Sequence, residues 1–164
     1  MTRHTAHRAG FTYSAPGVPG WAWVASAGAV RRGMALGALR LPARADGALR
    51  RVVPGDRVLC FTPEEGDGRF VALGYALPGG ILVDTDELER VWSCLPVAYV
   101  PVLPVSLAAV MDGALAAMGW GLSLPVGLLR LDGGTLDAIA ALMAPPVAAM
   151  VSAPGRVASL EGAD

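Results

Sequence analysis

Apolar residues in this chain come in short runs broken by Gly, Pro and charged clusters, a spacing that predicts strands joined by turns more than long helices. The first run, Trp21-Ala-Trp-Val-Ala-Ser26, reads as a buried strand, with Ser26 placed to cap a helix from Ala27 to about Leu36 that Gly37 ends. Residues 39–48 read as a loop, and residues 49–53 lead into Pro54-Gly55-Asp56, a turn whose Pro and Gly supply a fixed and a permissive backbone. Arg57–Thr62 and residues 69–77 are rich in β-favouring side chains and flank a loop of turn formers, which predicts a hairpin. Residues 81–83 and 91–97 are shorter strands.

Pro104 suits the first position of a helix running to about Met111, where its missing N–H costs nothing. Gly127–Leu131 returns to the sheet. A last helix starts at Asp132 or Thr135 and runs through Met143, with Leu136, Ile139, Ala140 and Met143 on one face and Pro145-Pro146 beyond its end. Residues 1–20, with Pro16, Pro19 and little apolar period, read as a flexible extension; residues 21–150 form the domain; residues 151–164 form a loose tail. Short strands interspersed with short helices, in 164 residues, make one α+β core.

Composition narrows the chemistry. The hydrophobic fraction is 54% and the charged fraction only 16%, below the usual quarter or so, so apolar surface is being buried or presented. All 13 basic residues are Arg, and the net charge of −1 gives no general field for nucleic acid. Locally, however, Arg31, Arg32, Arg40, Arg44, Arg50, Arg51 and Arg57 face only Asp46 and Asp56, a stretch that could track phosphates. Cys60 and Cys94 form no CxxC and read as small buried apolar residues; His4 and His7 fall in the extension. No metal site and no cofactor is expected. Asp84, Asp86, Glu87 and Glu89 lack EF-hand spacing and read as a solvated loop, as do Glu64 and Glu65.

Residues 91–111 and 113–129 are uncharged and approach the roughly 20 residues that span a bilayer. Pro96, Pro101, Pro104 and Pro125 interrupt them and Asp112 separates them, so membrane insertion is not expected and the default compartment is cytoplasmic.

The order of elements, with Val24-Ala-Ser26, Val30, Gly33, Gly37, Leu49, Pro54-Gly55-Asp56, Phe61 and Thr62-Pro63 falling in one ungapped pattern, resembles the bacterial EVE-type domains of the PUA-like superfamily. Trp120-Gly121 and Gly127-Leu128 sit where such domains have W-G-Y-x-F-R-x-G-L-F, and the resemblance covers residues 21–145. It implies a small mixed β-barrel with flanking helices and a pocket that holds a modified or flipped nucleobase between polar and aromatic side chains. Several polar positions of that pocket are replaced here. The family's Phe and Gln after the second Gly are Ala38 and Arg40, its H-G-K is Ala43-Arg44-Ala45, and Cys60 and Leu122 replace tyrosines, while Pro125 and Val126 replace a basic pair.

The pocket implied by the resemblance is therefore lined by Trp23, Leu41, Phe61, Trp120 and Leu122, with Ser26 and Thr62 as hydroxyls and Trp92 and Tyr99 as further candidates. Such a wall suits a small apolar molecule, bound or reshaped without a cofactor by holding it in a reactive conformation. The alternative keeps the family role, a reader of modified bases in DNA or RNA, with Arg31, Arg32, Arg40, Arg44, Arg50 and Arg51 on the nucleic acid. A third reading is a structural homo-oligomer whose contacts lie in residues 114–118 and 146–151.

Overall fold

The computed structural model describes residues 7–8, 11–12, 14–64, 66, 68–113 and 124–145. Two short antiparallel strands, β1 (His7–Arg8) and β2 (Phe11–Thr12), precede the main sheet. That sheet begins with β3 (Gly20–Val24) and runs through β4 (Ala38–Pro42), β5 (Arg57–Thr62), β6 (Arg69–Ala76), β7 (Leu82–Thr85), β8 (Val91–Val100), β9 (Val105–Ser106) and β10 (Gly127–Leu131). Its order is β10-β3-β5-β6-β8-β4, with β7 added to β8 and β9 to β6; β3 and β5 are parallel and every other pair is antiparallel. Helix α1 (Ala27–Leu36) follows β3, α2 (Leu107–Asp112) follows β9, and α3 (Gly133–Met143) closes the described chain.

The uninterrupted apolar run in β3 follows from burial on both faces. Trp21, Trp23 and Ala25 point into one cluster with Val30, Leu39, Leu41, Val58 and Cys60, while Ala22 and Val24 point into a second with Leu59, Phe61, Phe70, Leu136, Ile139 and Met143. The first cluster lies towards α1 and the second beneath α3, so the face of α3 expected from Leu136, Ile139 and Met143 is the one it buries.

Local signals account for the helix ends. The Ser26 Oγ accepts from the Ala29 N–H at 3.1 Å, and Gly37 at φ 63° gives α1 its left-handed stop. Asp132 caps α3, accepting from the Thr135 N–H at 2.9 Å and from its hydroxyl at 2.6 Å; these bonds hold its carboxyl below the usual range. Helix α2 begins at Leu107, capped by Ser106, and not at Pro104, because Val105 and Ser106 are taken up in pairing with β6.

The largest departure from expectation is at residues 39–48. Ala38–Pro42 is a strand paired antiparallel to β8, and Ala43–Arg51 is a 3-10 segment kinked at Ala45. The stretch is too short to show a period, and its partner is more than fifty residues away in sequence, as the pair Leu39 with Leu95 shows. Strand β8 also continues through Pro96 to Val100; Pro96 has no N–H to give, and its carbonyl accepts from Leu77. Strand β7 covers Leu82–Thr85, one to two residues later than residues 81–83. Ahead of β3, the Ser14 N–H bonds to the Gly55 carbonyl and the Gly17 N–H to Asp137.

Candidate functional site

The first half of β8 lies between β4 and β7, and this three-stranded patch builds the site. Trp92 is directly opposite Pro42 on β4 and Asp84 on β7, while Arg40 is opposite Cys94 and so diagonal to Trp92 on the same face. The Arg40 side chain crosses the strand to Asp84 at 2.9 Å, and its guanidinium carbon lies 4.8 Å from the Trp92 ring centre. Arg40 is only 5% exposed, so its charge is held by Asp84 and the indole.

Asp86 organises the β7–β8 turn. One carboxylate oxygen accepts from the Leu88 and Arg90 N–H groups, both at 2.9 Å; the other accepts from Arg90 Nε at 2.7 Å and Trp92 Nε1 at 3.1 Å. Withdrawal from water pushes this carboxyl up, but the bonds from Trp92, Arg90 and Leu88 outweigh it and hold it well below the ordinary carboxylate range. Glu89 takes the left-handed conformation, φ 59°, inside this turn. Asp84 pairs with Trp92 across the strands, and Asp86 joins them through its bonds to Arg90 and Trp92, which brings the four residues together.

Across a cleft of about 490 Å³ stands the start of α1: Ser26, Gly28, Ala29 and Arg32 form one wall, and Arg40, Asp86, Glu87, Leu88, Arg90 and Trp92 the other. Glu64, from the β5–β6 loop, caps the same helix by accepting from the Ala27 N–H. A second cleft of about 460 Å³ lies beside Trp92, and a third of about 690 Å³ is lined mainly by Leu49, Val52, Leu77, Ile81, Val83 and Leu95, with Asp46 and Arg50.

Of the expected ligand residues, Ser26 and Trp92 line the 490 Å³ cleft. Trp23, Leu41, Phe61 and Thr62 are buried and line none of the three clefts; Trp23 and Leu41 belong to the first core cluster, and Phe61 packs at 4.9 Å on Phe70 in the second. Tyr99 donates its hydroxyl to the Ala38 carbonyl at 2.8 Å, and burial, then the neighbouring Cys60, push its phenol above the usual range. Trp120 and Leu122, like residues 114–118 and 146–151, lie outside the described residues.

Of the expected arginines, Arg32 and Arg40 line the same cleft as Trp92, Arg44 the second and Arg50 the third, while Arg31 and Arg51 are exposed on α1 and the 3-10 segment. Arg57 departs from that surface group: it is buried against Asp137 at 2.6 Å and the Val18 carbonyl at 3.0 Å. The acidic residues were underestimated. Asp84, Asp86 and Glu64 are structural partners of Arg40, Trp92 and α1, and the alternation Asp84, Asp86, Arg90, Trp92 about one turn is the signal that could have shown it.

The sheet curls into a half-barrel with one parallel pair, β3 and β5, and helices on its flanks, an α+β fold of PUA-like type. Among solved structures, the chain is similar to the crystal structure of a mutant ZmASCH protein from Zymomonas mobilis, with TM-score 0.53 and 9% identity over 79% of this chain and 100% of that one. No family model matches the chain, and no curated protein matches it. No helix among the described residues is long and apolar enough to cross a membrane.

Proposed function

We propose that this domain is an EVE-like member of the PUA-like superfamily and reads a modified base in DNA or RNA, the base lying against Trp92 in the cleft facing α1. The observation that carries this reading is a half-buried indole fixed by Asp86 and flanked by two guanidinium groups, with Arg90 at 5.9 Å and Arg40 at 4.8 Å from its ring. Stacking of a base on such a platform contributes about 1–3 kcal/mol. Glu87 can accept from an exocyclic amino group, and Arg32 can meet phosphate. The placement of Ser26 at the helix cap, of Gly33 against Trp23 and of Gly37 at the left-handed stop gives the family-like residues a common role, positioning α1 over the site. A thermal-shift panel of oligonucleotides with plain and modified bases, at two salt concentrations, tests it. Stabilisation that fades with salt and disappears in Trp92→Ala supports the reading; stabilisation indifferent to Trp92 removes it.

The apolar-ligand reading is favoured by a different observation, the 690 Å³ cleft with its wall of Leu49, Val52, Leu77, Ile81, Val83 and Leu95. Under that reading an apolar metabolite stabilises the protein without dependence on salt or Trp92, and Ile81→Asp abolishes the effect.

A further inference from the structure

Trp92 lines two clefts. Its 460 Å³ neighbour is lined by Pro42, Ala43, Arg44, Arg90, Val91 and Trp92, and shares only Arg90 and Trp92 with the cleft facing α1. The two differ in chemistry. Glu87 stands in the first, beside Ser26, and can read a base edge, while Asp86 is engaged within its turn; the second has no carboxylate, only two guanidinium groups around the apolar surface of Pro42, Ala43 and Val91. Arg44 is exposed and has no ion-pair partner among the described residues; Arg90 is paired with Asp86 through its Nε at 2.7 Å, while its terminal nitrogens make no bond to described residues.

We infer that the second cleft is a subsite for the nucleotide next to the read base, with Arg44 and Arg90 at the phosphate that joins the two. This rests on the base-reading proposal and names its ligand class: a single-stranded segment, or an extruded nucleotide with its neighbour, and not a free base or mononucleotide. Continuity argues for it, since a ligand leaving the reading cleft past the Trp92 edge enters this one. Charge argues for it too, because an all-cationic rim complements phosphate, whereas an uncharged neighbour would leave Arg44 and the terminal nitrogens of Arg90 unanswered. The apolar floor can pack any base without hydrogen-bond readout, so the subsite supplies affinity with little sequence preference.

Calorimetric titration separates the parts, using the phosphate-free nucleoside of the best-responding modified base and DNA and RNA hexamers carrying that base centrally. The hexamer is expected to bind at least roughly tenfold more tightly than the nucleoside, in keeping with one further stacked base and phosphate. Arg44→Ala should remove that gain, leave nucleoside affinity within about twofold, and lower the slope of log K against log salt for the hexamer by about 0.7. Arg44→Lys should keep most of the slope. Equal affinity for nucleoside and hexamer, or an equal loss of both in Arg44→Ala, overturns the subsite and leaves the reading site standing. Binding of neither, or binding that Trp92→Ala leaves unchanged, overturns both.

Discussion

Two glycines in the same helix should respond in opposite directions to the same substitution. A Cβ at Gly33 would lie 2.7 Å from the Ala38 carbonyl oxygen and 2.7 and 2.8 Å from two ring carbons of Trp23. None of these can yield cheaply, since one is backbone and the others belong to an indole only 1% exposed. Replacing an interior helical Gly by Ala favours the helix by about 1 kcal/mol, but overpacking of this kind costs about 1–3 kcal/mol. Contacts this short to fixed atoms place Gly33→Ala in the upper part of that range, for a net loss of about 1–2 kcal/mol. At Gly28 a Cβ meets nothing within 4 Å, so Gly28→Ala should gain about 0.4–1 kcal/mol, chiefly by restricting the unfolded chain. At this chain length 1 kcal/mol moves Tm by roughly 2–4 °C, so melts followed by circular dichroism should show Gly33→Ala down by about 2–8 °C and Gly28→Ala up by about 1–4 °C. A Gly33→Ala protein as stable as the parent would refute the close packing of α1 on Trp23, and with it the account of what holds Ser26 and Arg32 over the cleft.

Other consequences are as direct. Asp56 is buried and accepts from Trp21 Nε1 at 2.9 Å and the Val53 N–H at 3.1 Å, so Asp56→Ala strands two donors and should cost about 2–3 kcal/mol in denaturant unfolding. Burial pushes the Cys60 thiol up to about 12, against a smaller downward effect of its contact with Tyr99; with Cys94 replaced by Ala, a thiol reagent at pH 8 should label the unfolded protein and spare the native one. Asp86 is depressed in the fold, so its bonds are intact above the ordinary carboxylate value and are lost only as pH falls below it. The Trp92 indole environment should therefore stay constant from pH 7 to about 4, and a change centred above about pH 5 would contradict that network.

Strand β3, α1, the β5–β6 hairpin and α3 were legible because each carries its own local signal: the paired Trp run, the Ser26 cap with Gly37, two β-favouring runs flanking a loop of turn formers, and the Leu136, Ile139, Met143 face. Strand β4 was not, since Ala38–Pro42 is made a strand by distant β8 and not by its own pattern. The site divides the same way. Trp92, Ser26 and the arginines stood out by residue type, whereas the partners that fix them, Asp84 and Asp86, looked like an ordinary acidic loop until hairpin register set them beside Arg40 and Trp92. Trp23 and Phe61 were singled out for their size, but large aromatics serve cores as readily as pockets, and only the fold separates the two.

The base-reading proposal is tested most directly by nitrogen–proton NMR of the indole N–H signals of the four tryptophans, assigned by single substitutions, during titration with a single-stranded hexamer carrying the best-responding modified base. The account predicts that the Trp92 signal shifts in a saturable, salt-sensitive way while that of Trp21, bonded to buried Asp56, stays in place. Saturable binding that leaves the Trp92 signal unmoved would contradict it.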